Sequence, residues 1–366
     1  MPDIVMYADT IRSPELRHEV PLPLTDPIVY VERNGTRQVY ARSLELPRLA
    51  GIHGLEALAL EELGIDELVE RGIVWHQAEP ELVLRACHRA GIASAVVPRT
   101  FPLEIADHLR ANGVDLRPDG EAFDRRRRSK TEAEVGGIRK ALRAAEHAMA
   151  RARARLAAGP VTCEELQAEV ARVFSDAAVA SPDGMIVSHG PQTAIGHEPG
   201  HGSVAPGEPV VVDLYPVDPE SGCYADMTRT FCVGEPPAEL RGYHRLCREA
   251  LERVTPAVRP GVTGAELFGI AAEVFEQAGY PTQRTKEQGA VLEEGFFHSL
   301  GHGVGLEVHE PPLLGRNGEA LVAGDVVTLE PGCYRPGFGG CRLEDLVLVT
   351  DNGCEVLTDY PYDLEP

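Results

Sequence analysis

Residues 298 to 310, HSLGHGVGLEVHE, set His298, His302 and His309 among Gly301, Gly303 and Gly305, with Glu310 directly after the last histidine. Imidazoles bind metals and carry protons near neutral pH, so this stretch is the first place to look for chemistry. It is not an HExxH zinc helix: that motif needs two histidines one turn apart on a continuous helix, and alternating glycines disfavour helix. GHGVG is no dinucleotide fingerprint either, since it lacks the G-x-G-x-x-G spacing and no helix evidently follows. The glycines predict a strand or loop whose backbone approaches a crowded site closely.

Acids recur in a pattern around it. GEPVVVDLYP from Gly207 and GDVVTLEPG from Gly324 align at an offset of 117, which carries Asp213 onto Glu330. Asp226 follows Asp213 by 13 residues and Glu344 follows Glu330 by 14, each in a further β-like run, CYADMTRTFCV or CRLEDLVLV. A single acid at a strand end is ordinary decoration. Four at equivalent places, inside valine-rich runs that should be buried, require compensation, because a buried carboxylate is costly unless paired with a cation or bound to a metal. Four carboxylates with a nearby histidine suit two divalent ions of fairly hard character, typically Mn²⁺, with Co²⁺ or Zn²⁺ as alternatives. Ions held about 3.5 Å apart by shared carboxylates acidify a water, so hydrolysis is the natural reaction class.

The elements that must position these groups repeat as well. GPVTCEELQAEVARVF, ending at Phe174, matches PGVTGAELFGIAAEVF, ending at Phe275, at an offset of 101. Each copy opens with Thr-x-x-Glu, a capping box that starts a helix. The same offset brings His197 onto His298, which suggests equivalent positions, while His189 and His201 read as loop residues. Upstream, residues 1–120 read as a small α/β domain. IVYVERNGTRQVYAR is a hairpin turning at Asn34-Gly35, ASAVVP a buried strand, and LEALALEELGIDELVERG and PLEIADHLRANG amphipathic helices, the second ended by Gly113. The histidines of this domain, His53, His76, His88 and His108, do not cluster with acids. Residues 121–134, with the run Arg125 to Arg128 flanked by acids, read as a solvated linker or interface contact. A long Ala- and Arg-rich helix from about 131 opens the second domain, residues 135–366.

The 35 Lys+Arg against 57 Asp+Glu give a net charge of −22, which repels phosphate backbones and anionic membrane surfaces. Nucleic acid and membrane are therefore excluded as partners. The opening residues MPDIVMYADTIRSPE lack a basic region followed by an apolar one, and no apolar run reaches membrane-spanning length, so the sequence reads as cytoplasmic. The eight cysteines contain no CxxC pair and read as reduced, mostly buried thiols.

Taken in order, VVVDLYP, CYADMTRTF, HSLGHGVGLEVHE, VVTLEPGCY and GCRLED resemble the pita-bread metallopeptidases, the family of aminopeptidase P, prolidase, methionine aminopeptidase and the metal-free creatinase. The resemblance covers residues from about 131 to the end. It implies an α+β chain: a C-terminal pita-bread fold with an internal pseudo-twofold repeat, preceded by a small α/β creatinase-type N-terminal domain. It implies two divalent metal ions held by Asp213, Asp226, His302, Glu330 and Glu344, with Asp226 and Glu344 shared between them. Glu330 would also shuttle a proton, His309 would stabilise the tetrahedral intermediate, and His197 and His298 would line the substrate site and relay protons. Thr228 and Arg342 resemble residues that support ligands or orient substrate.

The forms of the motifs, after an α/β domain, resemble the Xaa-Pro branch, which implies proline-containing peptides as substrates and a homodimer. Two departures stand out. Leu313 occupies the place where many dipeptidase-type members carry an arginine, with Arg316 farther along, which leans toward an aminopeptidase accepting longer peptides. The hairpin between Asp213 and Asp226 is about two residues longer than the family's usual spacing, and an even insertion keeps both carboxylates on one face. The alternative readings are a metal-dependent hydrolase of a small non-peptide amide and a catalytically silent peptide-binding module.

Overall fold

A computed structural model describes residues 2–366, and the chain divides into two compact units with the boundary between Arg127 and Arg128. The first unit holds strands β1 (Ile4–Ala8), β2 (Ile28–Arg33), β3 (Thr36–Ala41), β4 (Leu55–Ala59), β5 (Ser94–Val97) and β6 (Asp115–Pro118) in one mixed sheet of order β4-β3-β2-β1-β5-β6. Its helices are α1 (Pro14–Glu19), α2 (Leu46–Leu49), α3 (Ile65–Glu70), α4 (Trp75–Ala90) and α5 (Leu103–Ala111), and α6 (Gly120–Arg128) runs to the boundary. Strand alternation sends Val5, Val29 and Val31 to one core with Leu82 and Val83 of α4, and Ile4, Met6 and Tyr30 to the other with Leu16 of α1. The β2–β3 hairpin turns at Asn34 and Gly35, with φ of 52° and 80°, as a tight primed turn requires.

Two expectations are corrected here. Leu55–Ala59, read as the start of an amphipathic helix, is strand β4, paired in parallel with β3; a 3-10 turn at Leu60–Leu63 follows and the α-helix begins only at Ile65. Sheet pairing overrides the helical propensity of Leu, Glu and Ala. The arginine run, read as a solvated linker or interface contact, is helical, and Arg127 and Arg128 are buried rather than solvated. Arg126 donates from Nε to Glu19 at 2.6 Å and from Nη2 to Glu32 at 2.8 Å, and Arg128 grips Asp325 from Nε and Nη2 at 2.9 and 2.6 Å.

The second unit carries α7 (Glu132–Ala157), α8 (Cys163–Asp176), α9 (Ala238–Val254) and α10 (Gly264–Gln277) over two antiparallel sheets. The first joins β7 (Ile186–His189) and β8 (Pro209–Leu214); after the short ribbon β9 (Val217–Asp218) and β10 (Cys223–Tyr224), β11 (Met227–Cys232) completes it in the order β11-β8-β7. The second contains β12 (Gly301–Gly303), β13 (Glu310–Leu314) and β14 (Val326–Leu329); a hairpin of β15 (Gly332–Arg335) and β16 (Gly339–Arg342) intervenes before β17 (Asp345–Val349) and β18 (Cys354–Val356), giving the order β13-β12-β14-β17-β18.

The repeat is physical. Thr162 with Glu165 and Thr263 with Glu266 form complete capping boxes on α8 and α10. Each capping threonine also bridges to the segment leading into the acid-bearing strand of its half, Thr162 to Ser203 before β8 and Thr263 to Ala320 before β14. Each half has a core of its own, one around Leu166, Phe174 and Val212, the other around Leu267, Phe275 and Val347. The offset linking His197 to His298 does not survive in the topology. β7 and β12 hold equivalent places beside β8 and β14, yet His197 lies beyond β7 and His298 lies before β12. All eight cysteines are free, seven of them buried and Cys354 half-buried. Among the described residues no helix is long and apolar enough to cross a membrane.

Candidate metal centre

Asp213 closes on the end of β8, Asp226 stands just before β11, Glu330 just after β14, Glu344 just before β17, and His302 at the middle of β12. The β14–β17 register, which ends on Leu329 opposite Asp345, brings Glu330 and Glu344 face to face, and Asp213 lies opposite Thr228 across β8 and β11. Asp226, His302 and Glu344, all buried, each present a ligand atom within 4.8 Å of the others. His302 Nε2 lies 3.5 Å from Glu330 Oε1 and 3.9 Å from Asp226 Oδ2. Its Nδ1–H donates to the Gly303 carbonyl at 3.1 Å, so the Nε2 lone pair is the one that faces the acids. The strand is pinned by the His302 N–H, which donates to Thr328 Oγ1 at 3.1 Å.

These acids cannot all stand ionised together without a compensating cation. Burial, then the charge of Glu344, raises the Asp226 carboxyl well above its ordinary range, and burial, then Glu330, does the same to Glu344. Burial raises Glu330 to about 8, with Asp213 adding to the shift and Arg342 opposing it. His302 is held down at about 3 by burial and then by His309. Oδ1 of Asp213 and Oδ1 of Asp226 are buried and have no hydrogen-bond partner. Two orphaned carboxylate oxygens and an imidazole lone pair turned toward acids form a donor set that fits divalent cations.

Around the acids runs a continuous hydrogen-bond chain. Thr228 Oγ1 donates to Glu344 Oε2 at 2.6 Å and accepts from Arg342 Nε at 3.3 Å. Arg342 Nη2 reaches Asp213 Oδ2 at 2.6 Å and Nη1 reaches the Tyr334 hydroxyl at 3.3 Å. That hydroxyl donates to His298 Nε2 at 3.0 Å, because His298 Nδ1–H is committed to the Ser299 carbonyl at 2.7 Å. Burial and the Arg342 charge hold His298 at about 3. The β15–β16 hairpin carries both Tyr334 and Arg342, and a Cβ at Gly332 or Gly340 would collide with the Tyr334 ring. Tyr334 is the member of this chain that the sequence reading missed. Its only signal was its place in VVTLEPGCY, four residues after Glu330.

His309 is exposed, with its ring centroid 4.1 Å from that of His302. His197 is also exposed; burial lowers His309, as it does His298, and His197 is near enough to both to add to the effect. His189 is tied into its own loop, with Nδ1 2.7 Å from Glu208 Oε2 and Nε2 3.1 Å from the His201 carbonyl. The glycines at 301 and 303 have a different purpose from the expected approach to the site. A Cβ at Gly301 would meet Thr328 of β14, and one at Gly303 would meet the Glu310 and Pro311 carbonyls of β13, so these glycines permit close strand packing.

A repeated α/β unit that gathers the buried Asp213, Asp226, Glu344 and His302 with the partly buried Glu330 around unsatisfied oxygens fits the pita-bread class of metal-dependent hydrolases. The chain belongs to metallopeptidase family M24, which matches residues 136–351. It is 32% identical over 338 residues to a probable dipeptidase PepE of Mycobacterium bovis, covering 88% of this chain and 82% of that one. It is 31% identical over 273 residues to an Xaa-Pro dipeptidase of Pyrococcus horikoshii, covering 73% and 74%. The prolidase of Pyrococcus furiosus superposes with a TM-score of 0.76 at 25% identity over 99% of this chain and 97% of that one, and shares the pita-bread fold. The chain is thus a metallopeptidase, and its family implies divalent metal ions.

Proposed function

We propose that this metallopeptidase uses two divalent ions, Mn²⁺ by the hardness of its ligands, to hydrolyse the bond before proline at the amino terminus of peptides. The observation that carries the reading is the buried cluster of Asp226, His302 and Glu344 beside the partnerless oxygens of Asp213 and Asp226. In this reading Asp213, Asp226, His302, Glu330 and Glu344 hold the ions, with Asp226 and Glu344 shared. When bound, such ions polarise a carbonyl and bring a water's pKa toward neutrality.

The remaining work falls to side chains of this chain. Glu330, whose Oε1 lies 3.5 Å from His302 Nε2, would also take and return a proton during the reaction. Arg342 fixes Asp213, and Thr228 fixes the Glu344 carboxylate. His298, neutral and oriented by Tyr334, and the exposed His197 and His309 border the substrate side, where His309 can donate to a developing oxyanion. The half-exposed Leu313 favours longer peptides, whereas the names of the relatives favour dipeptides. A series of Xaa-Pro dipeptides and Xaa-Pro-Yaa tripeptides, assayed after Mn²⁺ loading, separates the two. Release of the first residue from neither length would overturn the proposal.

A further inference from the structure

Arg229 lies next to Thr228 on β11, and its side chain is 1% exposed. A guanidinium has five N–H donors, and here all five are engaged. Nε donates to the Pro361 carbonyl at 2.9 Å, and Nη1 donates to the carbonyls of Thr228 at 2.9 Å and Glu344 at 2.6 Å. Nη2 donates to Asp345 Oδ1 at 2.9 Å and to the Tyr360 carbonyl at 2.8 Å. The ring of Tyr362 lies 4.6 Å from the guanidinium carbon, and the Tyr362 hydroxyl bonds to Asp345. Asp359 N–H, donating to Glu146 Oε1 at 2.7 Å, and His244, bonded to the Tyr362 carbonyl at 2.6 Å, hold the same tail segment down.

The acceptors are not scattered. Two are the backbone carbonyls of Glu344, a candidate ligand, and of Thr228, whose hydroxyl bonds the Glu344 carboxylate. The Glu344 N–H in turn donates to the Thr228 carbonyl at 3.0 Å. β11 and β17 belong to different sheets, so Arg229 joins the two halves at the point where Glu344 enters the site. A buried ion pair with Asp345 alone would need none of these carbonyl bonds.

We propose that Arg229 is a positioning residue for Glu344 and that residues 359–362 form a strap that holds its guanidinium in place, so the tail sets the metal affinity of the centre. The inference rests on the two-ion reading above. A lysine keeps the charge but loses the planar fork, leaving several buried carbonyls without donors.

The test uses the full chain. Mn²⁺ binding is followed by calorimetric titration, alongside thermal unfolding without metal, for the parent, Arg229→Lys, Asp345→Asn and Arg128→Lys. Arg128 is also a buried fork, but its partners, Asp325, Glu319 and the Ala320 carbonyl, include no candidate ligand. Arg229→Lys should weaken Mn²⁺ binding about 10- to 100-fold, as loss of an outer support does, and Asp345→Asn should weaken it less. Arg128→Lys should lower the unfolding temperature yet bind Mn²⁺ within about threefold of the parent. A folded Arg229→Lys that binds like the parent, or an equal loss in Arg128→Lys, overturns the inference. If Arg229→Lys does not fold, unchanged binding by Asp345→Asn overturns it. A parent that takes up no Mn²⁺ sinks the two-ion reading itself, a result distinct from equal binding by parent and variant.

Discussion

Glu344 is the residue with most at stake, because its carboxylate sits among three other acids and is fixed by a single hydroxyl, that of Thr228. Thr228→Val keeps the shape and removes that hydroxyl, so Mn²⁺ affinity should fall about 10- to 100-fold, measurable by calorimetric titration with the fold checked by circular dichroism. His302→Ala removes a proposed ligand outright and should lower peptide hydrolysis by more than about a hundredfold while abolishing binding of at least one ion, read by metal analysis. Full activity in that variant would refute the ligand assignment. The four acids stood out because the repeat doubled the signal, with Asp213 falling on Glu330 at an offset of 117, whereas His302 was singled out as a ligand only by the resemblance. Tyr334 and Arg229 were not, since what defines them is a set of partners far along the chain, and spacing carries no trace of those.

At the scale of elements, two antiparallel strand pairs, β8–β11 and β14–β17, deliver the acids, and the glycines of β12 let its neighbours close around the histidine between them. Gly303→Ala forces a methyl against the Glu310 and Pro311 carbonyls, and should cost about 1–3 kcal/mol in denaturant unfolding. A variant as stable as the parent would mean that β13 yields easily. Capping boxes, the Asn34-Gly35 hairpin and the long α7 could be read directly, because each is fixed by local chemistry. β4 could not, since its pairing with β3 comes from sequence neighbours that prefer helix. The arithmetic match of His197 with His298 failed for a similar reason, because equal spacing says nothing about which side of a strand a residue falls on.

For the whole molecule the centre links metal, pH and stability. Glu330, raised from 4.5 to about 8, holds its proton more tightly folded than unfolded, so without metal its contribution to stability falls as pH rises across that window. His298 and His302, lowered from 6.5 to about 3, act in the opposite sense, and their contribution is lost as pH falls through that range. Mn²⁺ needs the deprotonated ligands, so its affinity should climb toward pH 8, and the gap in unfolding temperature between loaded and metal-free protein should widen over the same interval. At a free Mn²⁺ concentration a hundred times Kd the stabilisation should be about 2.7 kcal/mol; a gap that is flat from pH 5 to pH 8 would count against Glu330 as a ligand. The central claim, metal-dependent cleavage before proline, is tested most directly by mass spectrometry of matched Xaa-Pro-Yaa and Xaa-Ala-Yaa peptides incubated with metal-stripped and Mn²⁺-reconstituted protein, with metal content recorded on each sample. The account predicts release of the first residue from the proline series alone, and only after reconstitution; equal cleavage of both series, or cleavage by metal-free protein, would contradict it.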